Sequence, residues 1–180
     1  TGSYNTFIGE QAGYGGTTSA PFSSGERNTA IGYAALTGFT TGIKNTALGS
    51  YAGDALTSGL ANIFIGDSAG TATTDVDKAV IIGANAGLGN MTSDADGTVA
   101  IGYYAGGAIT SGGSNTAIGY EAMKVHTTGH SNLAIGYGAM DDTDAGSTSL
   151  DSDHNVFIGL NSGGGTWANV KSENNIAIGN

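Results

Sequence analysis

The chain has 180 residues, of which 33 are glycine and one is proline; it has no cysteine, and charged residues make up 11%. Collagen needs far more proline, and the lack of cysteine excludes a disulfide scaffold, thiol catalysis and cysteine-based zinc sites. The net charge of −10 disfavours nucleic acid and anionic lipid as partners. The longest apolar run, Ala79 to Gly89, is too short to cross a bilayer, so we expect no membrane insertion.

A single repeat runs through the chain, marked by isoleucine or leucine followed by glycine. Neighbouring copies are 17 residues apart in five of nine intervals and farther apart in the others, so a 17-residue unit carries insertions. Asparagine stands three residues before the aliphatic residue in eight of ten copies, and a small residue stands four after it in every complete copy. In chain order the copies are centred on Ile8, Ile31, Leu48, Ile65, Ile82, Ile101, Ile118, Ile135, Ile158 and Ile178.

Each unit is too short to bury a core alone, so the copies must stack as rungs of one repeat domain, residues 1–180. The apolar residues alternate as in a strand, with Thr29 and Ile31 facing one way and Asn28 and Ala30 the other. We therefore predict an all-β fold, a parallel β-solenoid of about ten rungs with two or three short strands each. At about 4.8 Å between paired strands, the rod would be about 48 Å long. The asparagines should form a ladder in which each amide hydrogen-bonds to the next rung.

Both faces of the predicted strand are apolar, as Val80, Ile81 and Ile82 illustrate. A strand of an isolated solenoid should have one polar face, and soluble monomers rarely expose a long apolar stripe. Self-association about the rod axis would cover the stripe. Small alanines and the glycine column suit the close approach of neighbouring chains; alternatively, the glycines occupy corners that need positive φ.

The motifs Asn28-Thr29-Ala30-Ile31-Gly32, Asn115-Thr116-Ala117-Ile118-Gly119 and Asn132-Leu133-Ala134-Ile135-Gly136 resemble the head repeats of trimeric autotransporter adhesins, the YadA-like heads. They are also similar to the repeat tracts of bacteriophage tail fibres, which the polar connectors and longer period resemble more. The resemblance implies a homotrimer of left-handed parallel β-rolls on a virion or, alternatively, on a bacterial outer surface, and hence an extracellular location. Because the chain begins and ends within the repeat, we expect it to be a fragment or a processed piece.

Few residues suggest chemistry. Gly66-Asp67-Ser68-Ala69-Gly70 matches the nucleophile motif of serine hydrolases, but Ser68 occupies a variable position of the repeat, so we expect no enzyme and no cofactor. Acidic connectors either hold calcium or are merely solvated, and the three histidines, His126, His130 and His154, are expected at the surface. The candidate calcium ligands of the largest acidic connector are Asp141, Asp142, Asp144, Asp151 and Asp153.

Aromatic residues are the candidates for receptor binding. Tyr103, Tyr120 and Tyr137 lie at the same position of three consecutive rungs and should form a ladder, which either packs along the rod and between chains or stacks against sugars. Phe22 and Trp167 lie in long polar connectors, where each either tucks against the rod or contacts a receptor protein or glycan.

The sequence therefore predicts a non-enzymatic trimeric segment of a phage tail fibre that gives reach and mediates attachment to a host surface. The alternatives are a bacterial adhesin head, a structural spacer or filament subunit, and a tailspike-like glycan depolymerase. A depolymerase would need two carboxylates roughly 5 to 9.5 Å apart in a groove.

Overall fold

The computed structural model describes residues 2–15, 23–141, 152–164 and 172–180. Ten strands form one parallel sheet in sequence order, so the predicted all-β solenoid is confirmed. None of the described segments is an apolar helix of membrane-spanning length. The strands are β1 (Thr6–Ile8), β2 (Thr29–Ile31), β3 (Thr46–Leu48), β4 (Ile63–Ile65), β5 (Val80–Ile82), β6 (Val99–Ile101), β7 (Thr116–Ile118), β8 (Leu133–Ile135), β9 (Val156–Ile158) and β10 (Ile176–Ile178). We number the rungs after their strands.

Each rung contributes one three-residue strand among the described residues, so the prediction of two or three strands per rung was wrong. The rest of each rung bends too often for a second strand, because residues with positive φ recur after the strand. In rung 7 these are Gly119, Glu121 and Met123, with φ of 136°, 56° and 52°. Outside the strands, an isolated bridge joins Ile43 to Leu60, and a single 3₁₀ turn spans Ser93–Ala95.

The glycine after each strand is required by both its corner geometry and the rung above it. Gly119 has a φ of +136°, which side chains with a Cβ rarely adopt. A Cβ at this position would also lie 2.3 Å from the carbonyl oxygen of Gly136. The corner alternative is therefore confirmed, and the backbone that approaches the glycine belongs to the next rung of the same chain.

The core lies inside the solenoid and is lined by the middle residue of each strand. Ala30, Ala117 and Ala134 are fully buried, and Phe64 fills more of the interior at its rung. Leu36 and Leu56 reach the same core from the turns. The expectation that these small alanines let chains approach each other was wrong, because they pack against their own chain.

The predicted asparagine ladder is present. The Asn115 Oδ1 accepts hydrogen bonds from the backbone N–H of Asn132 at 2.8 Å and from its Nδ2 at 3.1 Å. The Asn132 Nδ2 also donates to the carbonyl of Ser152 at 2.8 Å, one rung farther along. Each buried amide therefore links its own rung to the asparagine and to the connector of the next rung. These hydrogen bonds satisfy polar groups that water cannot reach.

Replacing a ladder asparagine should cost far more than replacing an exposed one. Asn132→Ala removes the oxygen that accepts from the buried Asn155 N–H and Nδ2 at 2.9 and 3.0 Å. We expect it to lower the free energy of unfolding by about 2 to 4 kcal/mol. The exposed Asn90→Ala should change it by less than about 0.5 kcal/mol. Urea unfolding followed by circular dichroism measures both; equal effects would contradict the ladder's role.

Candidate interaction face

The first and third residues of every strand point outward and form what we call the outer face. Its exposed members include Leu48 and Ile63, with 45% and 37% of their surface accessible, and the terminal strands are more exposed still. Every strand position on this face is threonine, valine, leucine or isoleucine, so the face carries no charge. Ten strands about 4.8 Å apart make it a stripe of roughly 43 Å. The predicted apolar stripe is therefore present, on the side away from the alanines.

The predicted tyrosine ladder borders the outer face on rungs 6 to 8. The ring centroids of Tyr103 and Tyr120 are 5.1 Å apart and those of Tyr120 and Tyr137 are 4.9 Å apart, with interplanar angles of 22° and 5°. The rings thus cover each other's faces, although each tyrosine as a whole stays exposed. Sugars stack on exposed ring faces, so this geometry favours packing along the rod.

Two charged residues lie beside this ladder. Partial desolvation, followed by the charge of Glu121, raises the pKa of Tyr120 above its ordinary value. Glu121 also pairs with Lys124 at 3.2 Å, and this hydrogen bond raises the pKa of the Lys124 ammonium. The ammonium lies 5.8 Å from the centre of the Tyr104 ring, within range of a cation–π contact.

Three carboxylates of the described connectors accept hydrogen bonds from the backbone. The Asp77 and Asp96 carboxylates accept the N–H of Leu60 and Asp77, each at 2.7 Å, and Asp153 accepts the N–H of His130 at 2.6 Å. Each carboxylate thus lies five residues before a rung's isoleucine, a constant spacing that the sequence analysis missed.

Of the five candidate calcium ligands, only Asp141 and Asp153 belong to the described residues, and Asp142, Asp144 and Asp151 lie outside them. Within the described ranges, no three histidine or carboxylate side chains are grouped to hold a metal. Phe22 and Trp167 also fall outside the described residues.

The histidines differ from the sequence prediction in one case. His126 is 1% exposed and its Nε2 lies 3.0 Å from the carbonyl oxygen of Gly129, so its predicted surface position was wrong. His130 and His154 are exposed as expected. All three lie at least three rungs, roughly 14 Å, from Ser68 along the rod. Ser68 therefore has no histidine within hydrogen-bond reach.

Comparisons with known proteins assign no function to the outer face. No family model, curated protein or solved structure matches the chain. The functional conclusion therefore depends on the outer face, its borders and the repeat pattern.

Burial raises the pKa of Asp54, which lies in the turn after β3. Its Oδ1 is buried and has no hydrogen-bond partner within the described ranges. Because the folded state favours the protonated acid, the stability that this group contributes is present below its ordinary pKa of 3.8. It is lost as pH rises through the raised value.

We therefore expect Asp54→Asn to stabilise the fold at pH 7, raising the melting temperature by about 1 to 3 °C, since solvent screens a half-exposed carboxylate. The gain should shrink at pH 3, where Asp54 itself is protonated. Asp94→Asn, at an exposed carboxylate, is the matched control. Thermal unfolding at both pH values tests the sign, and a larger gain at pH 3 would contradict it.

Proposed function

We propose that this chain is a non-enzymatic segment of a trimeric fibre, of the phage tail-fibre kind, that carries attachment sites to a host surface. The uncharged outer face is the observation that supports it. A stripe spanning ten rungs is far longer than the isolated apolar patches of soluble monomers. Burying it between copies removes that surface from water, which favours association.

Three copies suit this face for a geometric reason. The face is only two side chains wide, and a fibre requires a symmetry axis that runs along the rod. In a cyclic trimer each narrow face lies toward the axis and meets both neighbours. The resemblance of the repeats to trimeric adhesin heads and phage fibres points to the same assembly.

In this proposal the connectors carry the contacts to the host surface. The insertions near residues 15–27, 90–97, 141–154 and 163–174 lengthen the connectors and leave the stacked strands unchanged. A trimer would present each one three times, so weak contacts to a glycan or protein receptor gain avidity. Phe22 and Trp167 are the candidate contacts. An extracellular position on a virion follows from this function, and a bacterial surface adhesin head uses the same geometry.

Assembly is tested by charging the outer face. Ile118 is the third residue of β7, and Ile118→Glu would place three carboxylates near the trimer axis. We expect the parent chain to sediment at three times 17.7 kDa and the variant at 17.7 kDa over at least a tenfold range of concentration. Ser58→Glu, at an exposed turn, should leave the trimer intact. A monomeric, cooperatively folded parent chain would overturn the assembly.

Attachment is tested by binding of labelled trimer to bacterial cells and to a glycan array. Trp167→Ala and Phe22→Ala should weaken binding, and monomeric Ile118→Glu should bind about 10² to 10⁴-fold more weakly through lost avidity. Ser58→Glu is again the control. Absence of binding to any surface would favour a structural spacer. Release of reducing ends from surface polysaccharide would show a depolymerase.

A further inference from the structure

Two columns of side chains border the outer face, and on rungs 3 to 8 each rung combines a larger member with a smaller one. The leading flank is the residue four before each rung's isoleucine or leucine, and the trailing flank is the residue two after it. On rungs 3 to 5 the larger member is a lysine or an aspartate and the smaller one is a serine or an alanine. In the order leading then trailing, these are Lys44 and Ser50, Ala61 and Asp67, and Lys78 and Ala84.

On the next three rungs the leading flank is small throughout and the trailing flank carries the tyrosine ladder. The pairs are Gly97 and Tyr103, Ser114 and Tyr120, and Ser131 and Tyr137. On these six consecutive rungs, therefore, a larger side chain on one flank accompanies a smaller one on the other. Rungs 1, 2 and 9 instead carry two large members each: Tyr4 and Glu10, Arg27 and Tyr33, and His154 and Leu160.

Contact within one chain does not explain this relation. The two flanks lie at opposite ends of the same strand, six residues apart, with the outer face between them. Each flank packs instead with its own column, as Tyr103, Tyr120 and Tyr137 do. In a cyclic assembly, by contrast, one edge of a chain meets the opposite edge of the next. Because the rotation axis runs along the rod, rungs of equal number stand at equal height.

We infer that the leading flank of one chain packs against the trailing flank of the next, rung by rung, in the trimer proposed above. The inference rests on that trimer and names the residues by which neighbouring chains recognise each other. The partner is a second copy of this chain, and the residue types that meet differ between the two halves of the rod.

Charge complementarity supports this pairing in the first half. The leading flank holds Arg27, Lys44 and Lys78, three of the five lysine and arginine residues in the chain. All three are exposed, and neither lysine forms an ion pair with any residue that the structure describes. The trailing flank holds the exposed carboxylates Glu10 and Asp67, and Asp67 is one rung from both lysines. Neighbouring chains thus offer opposite charges along the same edge.

Shape and hydrogen bonding support the pairing in the second half. The three ladder tyrosines are exposed, and so are the small leading-flank residues of the same rungs, Gly97, Ser114 and Ser131. A Cβ added at Gly97 would meet only the Ser114 hydroxyl, at 3.7 Å. This stretch of the leading flank therefore has room for a ring edge, and its two serine hydroxyls can hydrogen-bond to tyrosine hydroxyls.

Cysteine cross-linking tests the pairing, since the chain has no cysteine of its own. Ser114→Cys with Tyr120→Cys places the two thiols on opposite flanks of rung 7. Lys78→Cys with Ala84→Cys does the same on rung 5 and leaves the tyrosine ladder intact. Under mild oxidation, or with a short bis-maleimide, both variants should convert the monomer band on a denaturing gel to covalent trimer.

Two sets of control variants test whether cross-linking is specific to opposite flanks in register. Single-cysteine variants should not cross-link, because equivalent residues of a threefold ring lie on separate edges. Ser114→Cys with Ala84→Cys, two rungs out of register, should cross-link at least tenfold more slowly.

The outcomes separate this inference from the proposed function. A parent chain of monomer mass would overturn the trimer and the inference together. A trimer in which neither in-register pair cross-links would overturn the inference and leave the trimer standing. Efficient cross-linking of single-cysteine variants would also overturn it, by showing that like edges meet.

Discussion

Every rung of this protein must present the same backbone to its neighbours, because hydrogen bonds pass in register from one rung to the next. The N–H of Gly119 donates to the carbonyl of Ile101 one rung below, and the N–H of Thr116 donates to that of Asn132 one rung above. A rung that changed its corner would break bonds on both sides. This constraint confines insertions to the connectors and fixes asparagine, glycine and a small residue at their positions, while side chains that point outward remain free to vary.

The features that this constraint fixes were predictable from the sequence, whereas the direction of each strand face was not. The glycine corner and the asparagine ladder follow from spacing, since a residue needed on every rung recurs at every rung. An alternation of two shows that Ala30 and Ile31 face opposite ways, but both are apolar, so it does not show which is inside. The volume of the interior decides which residue is inside. On this rung Leu36 and Phe39 already enter the narrow interior from the turn, which leaves room for only an alanine in the strand.

His126 shows how a local sequence reading can fail in a repeat. The histidine lies in a polar connector, which suggests a surface position, yet it stands eight residues after the isoleucine of its rung. Leu56 and Ile109 occupy the same slot on other rungs, and both are fully buried. Alignment by rung therefore predicts the burial that local polarity conceals. The tyrosine ladder was predictable in the same way, but the two flanks were not, because residues at opposite ends of a strand meet only when a second chain is present.

The leading and trailing flanks also oppose the mispairing of rungs between chains that a repeated sequence allows. Identical rungs would allow neighbouring chains to pair one rung out of step with little loss, since the outer face is apolar throughout. In the proposed trimer, a one-rung slip would set Tyr103 against Lys78, two long side chains, and Ala84 against Ala61, two short ones. At this boundary between the two halves, a collision and a void would lie on neighbouring rungs, and both are unfavourable. The uniform positions thus build the rod, and the change of residue type between rungs 5 and 6 disfavours this slip.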